Sequence, residues 1–171
     1  MSKHTESSSF REKLIEHLFV GELLKLSWKN DDCGLEVAKP EVDNSGYDLI
    51  AEAHGVVRHI QLKASYEGGK TATQKVHVRL AEKLSGCVIW IYFNEETLAL
   101  GPYYFFGGGP GERLPPLENL KIARHTKGDQ DGFKAERPNI RILNKGDFTR
   151  HESVEEIYAA LFGVQRGRRS A

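Results

Sequence analysis

The sequence predicts an α/β fold in which helices flank a central mixed β-sheet. Three observations carry that expectation. A capping-box pattern, Ser9-Phe-Arg-Glu12, opens a helical stretch near the N-terminus. Short runs rich in β-branched and aromatic residues follow, and one of them, "CVIWIYFN", is apolar almost throughout, as a strand covered on both faces would be. A second capping box, Ser153-Val-Glu-Glu156, opens a late helix that Gly163 ends.

The elements read in order as follows. Residues 1–9 are polar and suit a flexible N-terminus. The leading helix runs to about Trp28, where "KNDDCG" breaks it. "LEVAKP" is the first strand, and "EVDNSG" is turn chemistry, with Asp43 as an Asx-type turn residue. Residues 46–65, "GYDLIAEAHGVVRHIQLKAS", form two strands around a turn at His54-Gly55. "YEGGKTATQ" is a loop, and "KVHVRLAEKLSG" alternates like a strand before turning helical. "TLALGPYYFFG" is a further strand after a turn at Asn94-Glu95-Glu96. From 107 to 147 Gly and Pro punctuate an irregular stretch with one short strand at "NIRILN". The expected organisation is one domain over 10–164: a core at 10–106, an irregular basic extension at 107–150 and a C-terminal helix at 153–162. A basic tail, 165–171, follows.

Lys+Arg and Asp+Glu both number 24 in the 171 residues, so no global charge advertises a polyanionic partner. Between Lys121 and Lys145, however, seven Lys/Arg stand against three Asp/Glu, and the tail adds three arginines. Together these could form a basic footprint for phosphates. Cys33 and Cys87 show no metal-ligand spacing and read as reduced, buried thiols. "MSKHTESSSF" lacks the apolar stretch of a signal peptide, and "CVIWIYF" is too short to span a bilayer. A cytoplasmic protein without membrane contact is expected. "FFGGGPGE" lacks the GK[ST] ending of a P-loop, the spacing after "DQDGF" is wrong for a calcium loop, and no HExxH or Gx[ST]xG occurs. No motif asks for an organic cofactor.

The chemistry concentrates in the 46–65 hairpin. Residues i and i+2 of a strand share a face, so Gln61 and Lys63 point one way while Ile60, Leu62 and Ala64 point the other. Pairing around the His54-Gly55 turn brings Asp48 near them. A carboxylate and an amide oxygen suit a hard divalent cation such as Mg²⁺, and a neighbouring lysine can orient a water or stabilise charge on a phosphate. On the leading helix, Ile15, Leu18, Phe19, Glu22 and Leu26 share a face, so Glu22 interrupts the stripe that should meet the sheet. Glu16 falls with Glu12, Lys13 and Val20 on a more polar face and is the weaker candidate. The plainer alternative is a cross-strand ion pair between Asp48 and Lys63 on a solvated face.

Helical Glu22, Asp48 at a strand start and "IQLKAS" on the next strand resemble the PD-(D/E)xK nuclease superfamily, whose fold is restriction-endonuclease-like. By that resemblance Glu22 corresponds to the helical acid, Asp48 to the metal-binding aspartate, Gln61 to the variable ligand and Lys63 to the catalytic lysine. Tyr47 stands where the pattern has Pro, and Gln61 makes this a QxK variant with one charge fewer. The resemblance implies Mg²⁺- or Mn²⁺-dependent hydrolysis of DNA, with Asp48, Gln61 and Glu22 at the metal. Because cutting both strands usually needs two sites, it also implies a homodimer, for which "PYYFF" is one candidate interface. Tyr47, Ser65, Lys70, His125, Lys127 and Arg137 are candidate nucleic-acid contacts. A catalytically silent binding module and an RNA-directed nuclease are the alternatives.

Overall fold

The computed structural model describes residues 7–42 and 44–163. Asp43, most of the polar N-terminus and the basic tail lie outside the described residues. Helix α1 spans Ser8–Lys29. It starts earlier than the Ser9 capping box implies: Ser7 holds the N-cap position, without a side-chain capping bond. Strands β1 (Glu36–Ala38), β2 (Leu49–Ala53), β3 (Val56–Tyr66) and β4 (Thr73–His77) follow, then a 3₁₀ turn at Val78–Glu82. Strands β5 (Gly86–Phe93) and β6 (Leu100–Gly107) complete the expected core. The extension holds β7 (Ile122–Arg124), β8 (Glu136–Asn144) and β9 (Thr149–His151), ahead of helix α2 (Val154–Phe162).

The central sheet is mixed and six-stranded, in the order β1-β2-β3-β5-β6-β9. Only β3 and β5 run parallel; the other neighbours are antiparallel. β5 is buried along its whole length, as its unbroken apolar run demands. The α/β class and the central mixed sheet are therefore as the sequence predicts.

Two apolar layers cover the sheet. On one face Ile15, Phe19 and Leu23 of α1 and Ile157 and Leu161 of α2 pack on Leu49, Ile60, Ile89 and Tyr103. On the other, Val88, Trp90, Tyr104 and Phe106 meet Val76, Leu80, Leu143 and Phe148. Both helices thus lie on one face. The opposite face is covered by a second, three-stranded sheet, β4-β8-β7.

That second sheet corrects the reading of 107–147 as irregular. β8 extends well beyond "NIRILN" and pairs with β4, more than sixty residues earlier in the chain, from Thr73↔Asn144 to His77↔Ile140. Pairing at such sequence separation leaves no local pattern to read. The "PYYFF" aromatics are corrected too: Tyr103, Tyr104, Phe105 and Phe106 are all buried in the two layers, so they offer no docking surface. Cys87 is buried, which pushes its thiol up to about 12, but Cys33 is exposed; both are free. Among the described residues no helix is long and apolar enough to cross a membrane.

Arg58 ties α2 to the sheet. It is 0% exposed, and its guanidinium donates to the carbonyls of Leu161 (2.6 Å), Ala160 (3.0 Å) and Gly108 (3.1 Å). Two of those are carbonyls of the last helical turn, where a cation is favoured. Burial nonetheless pulls its pKa below the ordinary arginine value.

Candidate functional site

The site begins where β2 stops short of β3. Leu49 pairs with Ile60, and the chain before it turns away, so β3 runs on beyond its partner. Asp48 caps that opening. Its backbone N–H donates to Ile60 O at 2.8 Å, and its Oδ2 accepts the Leu62 N–H at 2.7 Å. One carboxylate oxygen thus replaces the missing strand, and the Leu62 carbonyl lies on the same side of β3 as its N–H.

β3 carries the polar pair on the face opposite the helices. Gln61 is in register with Val88 and Lys63 with Trp90, both in the layer under the second sheet. Ile60, Leu62 and Ala64 turn toward the helices. Asp48, Gln61, Lys63 and Ser65 all line one cavity of about 500 Å³, closed on one side by the first turns of α1 and on the other by Thr71 and Gln74. Gln61 Oε1 is buried and accepts no hydrogen bond.

The helical acids that line this cavity are Glu12 and the buried Glu16; Glu22 does not line it. Glu16 is 5% exposed, whereas the Glu22 side chain is 36% exposed and pairs with Lys25 at 2.7 Å. The physical reason is the helix phase. The buried stripe of α1 runs Ile15, Glu16, Phe19, Leu23, Leu26 and Ser27, about a quarter-turn from the stripe that would bury Glu22. Two cations make burial of Glu16 tolerable. Lys13 donates to Oε2 at 3.0 Å, and Lys39 donates to Oε1. Burial pushes the Glu16 carboxyl up, but these lysines outweigh it and hold it below the ordinary glutamate value. Lys13 is raised in turn, chiefly by its bond to Glu16, with Asp48 adding to the pull.

The expected nucleic-acid contacts separate into two groups. Ser65 lines the cavity, but its Oγ accepts the Trp90 Nε1–H at 2.9 Å. Arg137 lines a second cavity, of about 350 Å³, across the Gln61–Lys63 ridge. Tyr47, Lys70, His125 and Lys127 line neither. Tyr47 packs edge-on against His59, and the other three are exposed. Sequence reasoning passed over Lys75 and His77 of β4, which line the second cavity with Asn44. Their i, i+2 spacing was visible; what β4 would pack beside was not.

Two carboxylates and an unsatisfied amide oxygen fit the preference of a hard divalent cation for one or two carboxylates with further oxygens. Asp48, Gln61 and Glu16 are the residues that would hold one. Among the described residues no group of three or more His, Cys, Asp or Glu assembles as a metal cage.

No family model matches the sequence, and neither does any curated protein. Among solved structures, a bacterial homing endonuclease is similar to this chain at 24% identity and a TM-score of 0.31. The similarity covers 58% of this chain and 64% of that one, so it spans less than two-thirds of the endonuclease's length. At that TM-score the likeness carries no argument about the site.

Proposed function

We propose that the protein is a metal-dependent nuclease that hydrolyses DNA phosphodiester bonds, built on a restriction-endonuclease-like core of the QxK type. The observation that carries the reading is the convergence of Asp48, Gln61, Lys63 and Glu16 on one cavity, with Gln61 Oε1 buried and without a donor. An Mg²⁺ or Mn²⁺ ion, when bound, supplies Lewis-acid stabilisation of the charge that builds on the phosphate. Asp48 and Gln61 present oxygens to it. Lys63, a neighbour of Gln61 on the same face, orients the attacking water or donates to a non-bridging phosphate oxygen. Glu16 takes the part assigned to Glu22 from sequence, with Lys13 and Lys39 holding it in position. A homodimer would place two such sites on a duplex, as cutting both strands requires.

A second reading, a catalytically silent nucleic-acid-binding module, is favoured by one observation: Glu16 is already engaged by two lysines, and Gln61 brings no charge. Cleavage decides between them. With Mg²⁺ or Mn²⁺, wild type should nick plasmid DNA, and Asp48→Asn and Lys63→Ala should each slow cleavage by roughly 10²-fold or more. Cleavage that survives both substitutions contradicts the mechanism, and a wild type that binds but never cuts supports the silent module. A parallel RNA substrate tests the choice of nucleic acid.

A further inference from the structure

We infer that the second cavity is an anion site for a backbone phosphate of the nucleic acid, next to the phosphate held in the acid cleft. The ligand's identity rests on the nuclease reading; the chemistry of the cavity does not. It lies between β3 and the β4-β8 sheet and is lined by Asn44, Gln61, Lys63, Lys75, His77 and Arg137, with no carboxylate among the described residues that line it. Lys75 and His77 share a face of β4, and Arg137 comes from the start of β8.

Arg79 sets two of these groups as donors. Its backbone N–H donates to His77 Nδ1 at 3.1 Å, so the proton of the neutral ring sits on Nε2. Its guanidinium donates to Asn44 Oδ1 at 2.9 Å, which leaves the Asn44 amide hydrogens to be given elsewhere. Lys63, Lys75 and Arg137 can only donate. Gln61 brings a buried oxygen without a donor. A phosphodiester is an acceptor with a full negative charge, and the cations and donors among the described lining residues fit it.

Backbone geometry keeps the wall open. Gly46 has φ +75°, and a Cβ there would stand 2.6 Å from His77 Cβ. Only glycine allows the segment leading to Asp48 to lie against His77. Gln61 and Lys63 belong to both cavities. A strand crossing that ridge would set one phosphate against the carboxylate side and its neighbour against the cationic side. Phosphate contacts of this kind fix register without reading bases.

The test is fluorescence anisotropy of a labelled oligonucleotide duplex across a salt series, in chelator so that nothing is cut. Lys75→Ala and Arg137→Ala should each weaken binding on the order of tenfold and lower the slope of log K against log salt by about one. Lys29→Ala, at the far end of α1, should change neither. An unchanged slope in both cavity variants overturns the inference, and so does a wild type that does not bind. Calorimetry with inorganic phosphate separates the sources: tight phosphate binding lost in both variants, with oligonucleotide binding intact, would assign the cavity to a free anion and overturn the backbone assignment. Oligonucleotide that is bound through Lys75 and Arg137 but never cut on adding Mg²⁺ counts against the nuclease reading alone.

Discussion

Gln61 brings no charge to the cavity it shares with Asp48 and Glu16. Its oxygen is buried without a donor, which a core would tolerate only at a cost of about 1–3 kcal/mol unless something binds there. Restoring a carboxylate tests whether that something is a cation. Gln61→Glu should tighten Mg²⁺ binding about tenfold by calorimetry, since affinity of such sites follows ligand charge. Unchanged affinity would remove Gln61 from the ligand set. Glu16 offers a separate handle through pH. Its pKa is lowered from the ordinary 4.5, so its pairing stabilises the fold fully above that value and is lost as pH falls through the folded pKa. Urea midpoints measured from pH 6 down to about pH 3 should therefore fall less steeply for Glu16→Gln than for wild type.

Elements explain which parts of this site the sequence revealed. The β2–β3 hairpin was legible because its turn, alternation and spacing are all local, and the observed register sets Asp48 beside the Gln61–Leu62 step. Helix α1 was legible in extent and not in phase. Its buried face is the one on which Ile15, Phe19, Leu23 and Leu26 pack into the core, and Lys39, from beyond β1, meets Glu16 at the margin of that face. The β4-β8-β7 sheet was hidden because its strands pair across the whole middle of the chain. Arg58 was hidden for the same reason: nothing near it in sequence announces that it ends α2. Arg58→Ala should cost about 3 kcal/mol in urea denaturation by stranding buried carbonyls. Arg58→Lys should recover only part of that, because an ammonium cannot match the planar fork.

At the scale of the whole molecule, a neutral chain sets a cavity of mixed acids and bases on one side of a ridge and a cavity of cations on the other. Glu16 and Asp48 stand in the cavity on one side, and Lys75 and Arg137 in the cavity on the other, with Gln61 and Lys63 between. Composition averaged this away: equal totals of acid and base gave no hint of a polyanionic partner. The helices and the second sheet do different work around the ridge. Helix α1 brings the acid, and β4 with β8 brings the cations. The most direct test is the relative cleavage rate of Glu16→Gln and Glu22→Gln on one DNA substrate in Mg²⁺. Glu16→Gln should lose roughly 10²-fold in rate, with Glu22→Gln within about twofold of wild type. Loss of activity in Glu22→Gln with Glu16→Gln unaffected would contradict the site described.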